Sequence, residues 1–204
     1  MNKTGIELRF ITELRAITEP SSRTIKGTAI VFNTESVDLG GFKEIILPGA
    51  ITQELINRSD VVMQYQHNGM NVPLARSKNG VGTLKITVTE TGVDFEFEAK
   101  DTALGNEVLA AIKVGDLSAC SFMFRVAENG CVWLKVTNEM YLRTISGIDL
   151  IKDLSIVIDP AYVETNCDMR GLDSLKANET LLKDQELLEY YSELQTKFIN
   201  VKLN

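Results

Sequence analysis

Between Thr24 and Pro160 the chain is repeatedly cut into apolar or alternating segments of strand length, and that rhythm limits its fold more than any other feature. Thr24 to Phe32 is rich in β-branched residues and reads as a strand interrupted by Gly27. Phe42 to Leu47, Asp60 to Gln66, Cys120 to Val126, Val132 to Val136, Leu142 to Leu150 and Asp153 to Ile158 read the same way, and Asp159-Pro160 ends the run. Thr83 to Val88 and Val93 to Ala99 flank Thr91-Gly92, the signature of a hairpin. Ahead of them, Ile6, Leu8 and Phe10 alternate with Glu7 and Arg9. Helical spacing is confined to Ile51–Asn57, after Pro48-Gly49-Ala50, and to Leu104–Val114, which stops at Gly115, a residue suited to a helix C-terminus. At least seven strands and two or three helices predict a β-rich fold, a closed or nearly closed antiparallel barrel with helices around it.

The pattern changes after Arg170-Gly171. Residues 174–204 contain neither proline nor glycine, and Leu187, Tyr191, Leu194 and Phe198 recur at steps of four, three and four, an amphipathic stripe. The expected organisation is a barrel domain over 1–170 and a helical extension over 171–204. That extension either docks on its own domain or serves as a partner-binding or removable tail.

Charge and cysteine content exclude whole classes of function. The net charge of −7, with no cluster of Lys and Arg, argues against nucleic-acid binding. Three cysteines, Cys120, Cys131 and Cys167, are odd in number and follow no metal-ligand spacing, which favours a reducing cytoplasm. No apolar run is long enough to span a bilayer, and Met1–Gly5 leads straight into alternating residues without an apolar signal core. There is no Walker loop, GxGxxG, CxxC, HExxH or GxSxG, so no metal or cofactor is expected.

His67 is the sole histidine, so any imidazole chemistry has to use it. It ends an apolar strand and opens a His-Asn-Gly turn, a place where a rigid strand can hold a general base. In Gly115–Phe124 alternation sends Phe122 and Phe124 to the core and Ser121 to the other face with Met123 and Arg125, toward a cleft. A serine hydroxyl needs a base to take its proton, and the base gains from a carboxylate that fixes its tautomer. Asp153 is the candidate for the carboxylate, since it shares with Ser155 the face opposite Leu154, Ile156 and Ile158. Two other nucleophiles compete. Cys120 falls on the core face, where a thiol is usually inert, and Ser118 precedes the strand. Arg143 and Arg76 are the candidates for orienting the oxyanion site or binding substrate, each with an ordinary ion pair as its alternative.

The order of these segments resembles the prohead proteases of tailed phages, which share a fold with the herpesvirus assembly proteases. Ile25–Asn33 is similar to the family's strand with a glycine and an apolar stretch ending in Phe-Asn. Phe42–Ala50 resembles its E-x-I-x-P-G-A element, Gln64–Asn68 the segment that bears its catalytic histidine, and Pro73-Leu74-Ala75-Arg76 its P-L-G-R. Gly115–Phe124 resembles the stretch ending S-F-x-F, with Ser121 in the nucleophile position. Leu150–Tyr162 is similar to L-x-E-x-S-x-V-x-x-P-A-Y, with Asp153 where the family usually has glutamate. Gln66 and Asn68 depart from the family's Asn-His-Asp. The resemblance spans residues 24–165.

It implies a serine endopeptidase with His67, Ser121 and Asp153 as its catalytic residues. Such an enzyme would cleave scaffold protein or the N-terminal scaffolding segment of the major capsid protein inside the assembling prohead, in the bacterial host cytoplasm. It also implies self-cleavage and admits a homodimer, with no nucleic acid or membrane as partner. Two rivals stand beside it: a non-catalytic capsid-assembly or scaffolding module on the same barrel, and an unrelated β-rich hydrolase using Cys120.

Overall fold

The computed structural model describes residues 6–11, 14–16, 22–70, 72–137 and 140–158. The helix and the domain boundary expected beyond residue 158 lie outside them. Among the described residues thirteen strands and two helices follow in order. They begin with β1 (Glu7–Ile11), β2 (Leu14–Ala16), β3 (Thr24–Val31) and β4 (Phe42–Ile46). Helix α1 (Gln53–Arg58) and strands β5 (Asp60–Tyr65), β6 (Ala75–Lys78), β7 (Val81–Gly82), β8 (Leu84–Val88) and β9 (Gly92–Glu98) come next. Helix α2 (Ala103–Val114), β10 (Ala119–Val126), β11 (Cys131–Lys135), β12 (Tyr141–Ile145) and β13 (Ile148–Val157) complete the series.

The helices start and stop for local reasons. Thr52 and Thr102 each cap a helix, their hydroxyls accepting from the amides of Leu55 at 3.1 Å and Gly105 at 3.2 Å. α2 ends where Gly115 turns left-handed at φ 88°, a conformation that costs glycine least. The Thr91-Gly92 turn joins β8 and β9 into the antiparallel hairpin its sequence predicts.

The strands form three sheets: β1-β10-β13-β5-β6-β7, β11-β12-β4 and β2-β3-β9-β8. All three contribute to one core, which holds Ile25, Phe95 and Phe97 from one sheet, Met63, Phe122 and Leu154 from another, and Ile46 and Ile145 from the third. This is the β-rich architecture with few helices that the segment lengths predict. Among the described residues no sheet closes on itself, and two pairings, β4 with β12 and β5 with β13, are parallel. Parallel neighbours need a long connection between them, and these are far apart in the chain. Alternation within a single segment therefore carries no sign of which way its neighbour runs.

The largest sheet positions the candidate residues. β13 lies between β10 and β5, with Ser155 opposite Ser121 on one side and Gln64 on the other. Asp153 sits in the middle of β13, because the strand runs unbroken from Ile148. The sequence places the break after Leu150, whereas the strands are interrupted at Ser146-Gly147.

Candidate active site

Two neighbouring strands and the turn that follows a third each contribute one member of a hydrogen-bonded chain. Ser121 lies on β10 with its side chain directed away from Cys120, Phe122 and Phe124, all of them buried. Across the pairing, Ser155 and Asp153 are two residues apart on β13 and so share a face. His67 follows the end of β5. Gln66 and His67 both adopt left-handed backbone, φ 57° and 52°, a conformation uncommon for residues with a Cβ.

Three hydrogen bonds hold that turn: Gln66 N–H to Ile156 O at 3.0 Å, Asn68 N–H to Tyr65 O at 3.2 Å, and His67 N–H to Ser155 Oγ at 3.2 Å. The turn carries the imidazole back over the sheet.

There His67 Nε2 lies 2.6 Å from Ser121 Oγ, and His67 Nδ1 lies 2.6 Å from Asp153 Oδ1. A carboxylate against Nδ1 draws the imidazole proton to that nitrogen, which leaves the Nε2 lone pair facing the hydroxyl. Ser155 adds a fourth group. Its Oγ is 3.1 Å from His67 Nδ1 and donates to Asp153 Oδ1 at 3.3 Å, so it ties the backbone, ring and carboxylate together. Alternation had placed Ser155 on the face of Asp153, which was the signal available for it.

One expectation is corrected. Ser121 does not open onto a cleft; it has 0% of its surface exposed. β1 runs antiparallel beside β10, with Phe10 opposite Ser121, and the Ser121 hydroxyl also donates to the Arg9 carbonyl at 2.7 Å.

The other candidates lie elsewhere. Cys120 is fully buried on the core face, and desolvation pushes its thiol up to about 12, so it is held as the unreactive thiol. Ser118 is exposed and precedes β10. Arg76 forms a two-pronged ion pair with Asp60 at 2.7 and 2.5 Å on an exposed surface.

Arg143 lies in a buried cluster of two guanidinium groups and two carboxylates. Its Nη1 bonds Glu7 Oε2 and also reaches Glu44 Oε2 at 3.1 Å, while its Nη2 reaches Glu7 Oε1 at 2.8 Å. Arg9 completes the cluster, with Nε and Nη2 each 2.8 Å from Glu44 and Nη2 2.7 Å from Glu7. Burial works against both charges, yet it is outweighed. Glu7 and Glu44 hold the Arg143 pKa above its ordinary value, and Arg143 with Arg9 holds that of Glu7 below its own. Nothing in the alternation of β1 announces that Glu7 and Arg9 are buried.

A family model described as caudovirus prohead serine protease matches residues 11–179. Neither the curated proteins nor the solved structures gave a match.

Proposed function

The chain belongs to the caudovirus prohead serine protease family, a family of capsid-maturation proteases, and from that premise we propose that it is a serine endopeptidase whose nucleophile is Ser121. The observation that carries this reading is the unbroken chain from Ser121 Oγ through His67 to Asp153, with both links at 2.6 Å.

The mechanism follows from those contacts. Ser121 Oγ attacks the carbonyl carbon of the scissile peptide while its proton passes to His67 Nε2. Asp153 holds Nδ1–H and stabilises the imidazolium as it forms. The tetrahedral intermediate then collapses, His67 returns the proton to the departing amine, and a water repeats the sequence to release the acyl group from Ser121. Ser155 keeps the ring and the carboxylate in register. Arg143 serves the substrate through its place in the charged cluster, while Arg76 braces β5 against β6.

The substrates we infer are scaffold protein or the N-terminal scaffolding segment of the major capsid protein, cut inside the assembling prohead. The chain itself is a further substrate, with residues 171–204 as the removable tail. We take the three sheets around one core as the walls of the family's barrel. No helix among the described residues is long and apolar enough to cross a membrane. The rival, a non-catalytic assembly module, has no use for a hydroxyl, an imidazole and a carboxylate bonded in sequence.

Co-expression of the full chain with its capsid and scaffold partners, followed by intact-mass spectrometry, tests the proposal. A shortened capsid or scaffold chain is the expected result. Partners that all keep their full masses would overturn it.

A further inference from the structure

A nucleophile has to meet its substrate, and the strand that covers Ser121 is part of this chain. The Ser121 hydroxyl has one proton. While the Arg9 carbonyl accepts it at 2.7 Å, that proton is not available to His67 Nε2. The carbonyl also presents its oxygen to Ser121 Oγ, whereas attack requires the carbon. The observed arrangement is therefore that of an occupant held in place without reacting.

Three features mark β1 as an occupant. Among the described residues it is the terminal strand of its sheet and pairs with β10 alone, so it can leave without breaking any other pairing described in that sheet. Glu7–Phe10 precede the stretch matched by the family. The ion pairs of β1 reach Glu44 on β4 and Arg143 on β12, in a different sheet. These two are 3% and 8% exposed and meet each other through one contact, Arg143 Nη1 to Glu44 Oε2 at 3.1 Å, so most of the hydrogen bonds that offset the cost of burying their charges come from β1. Among the described residues the Arg143 Nε has no hydrogen-bond partner, so Glu7 satisfies that guanidinium only in part.

We propose that β1 sits where the protease binds its substrate. The substrate would be an extended peptide, added antiparallel along the outer edge of β10, and Glu44 and Arg143 would read a basic side chain in the place of Arg9 and an acidic one two residues before it. Residues two apart on a strand point the same way, which is how one neighbouring sheet reads both charges, and strand addition supplies the backbone bonds. The inference rests on Ser121 being the nucleophile.

The test uses the full chain with Leu8→Cys and Met123→Cys, directly opposed residues of β1 and β10, a spacing that a disulfide can bridge. The probe is a small fluorophosphonate. It forms an O–P bond to Ser121 and expels fluoride, while the hydroxyl proton passes to His67. The oxidised form should label at least about tenfold more slowly than the reduced form, a factor equal to about 1.4 kcal/mol. Full-length Arg9→Ala, with β1 loosened, should label faster than the unaltered chain.

A peptide of sequence 6–11 should slow labelling of Arg9→Ala, and the same peptide with alanine at both charged positions should not. Equal rates in the oxidised and reduced forms would overturn the proposal and leave the nucleophile standing. Equal effects of the two peptides would overturn the reading role of Glu44 and Arg143. Failure to label Ser121 in any form would remove the nucleophile, and this inference with it.

Discussion

Ser121→Ala will remain folded and will stop processing of a co-expressed capsid precursor. The substitution removes one oxygen and leaves the strand pairings of β10 untouched. Its structural cost is the loss of the hydroxyl's bonds to His67 and Arg9, about 1–3 kcal/mol for a buried group left short of a partner. Its catalytic cost is of another order. Without Oγ there is no acyl intermediate, and removing the nucleophile of such a triad lowers kcat by roughly 10⁶, leaving only what substrate binding and oxyanion stabilisation contribute. Circular dichroism should therefore show the same β-rich spectrum with a modestly lower midpoint, and the precursor should keep its full mass. Continued processing at a comparable rate would transfer the nucleophile to another residue, with exposed Ser118 the next to test.

Asp153→Asn is expected to lower kcat about 10⁴-fold with little change in KM. The amide has the shape of the carboxylate but brings N–H donors to face His67 Nδ1. The ring responds by protonating at Nε2, and an Nε2–H cannot accept the proton of Ser121. Ser155 cannot compensate, because its single proton is already directed to the residue at position 153. Asp153→Glu separates charge from shape. It keeps the anion, and glutamate is the residue the phage family usually carries there, so this variant should cleave far faster than Asp153→Asn. If the two substitutions cost the same, the carboxylate is structural.

What the sequence made legible, and what it did not, follows from the range of each signal. Turn residues and helical spacing act over a few positions, and so the β8–β9 hairpin and both described helices could be read directly. Alternation reports which residues share a face of one strand. That was enough to separate Ser121 from Cys120 and to put Asp153 with Ser155. It does not report what lies beside or above that face.

The covering of Ser121 by β1 and the parallel pairings were therefore out of reach. So was the cluster of Glu7, Arg9, Glu44 and Arg143, in which four charges from three segments are buried because each supplies partners for the others. An exposed alternating strand and a buried one with its charges paired have the same pattern. His67 was legible for a different reason. It is the sole imidazole in the chain, and its strand-end position is the local part of a geometry completed by β10 and β13.

The most direct test of the account is the cleavage rate of the His67→Ala, Ser121→Ala double variant, set beside the two single variants in one precursor assay. If the hydroxyl and the imidazole act as one device, removing the second after the first costs nothing more, and all three rates coincide at the same residual value. If the two losses multiply, so that the double variant is slower than either single by the full factor of the other, His67 and Ser121 contribute independently and the proposed mechanism is wrong.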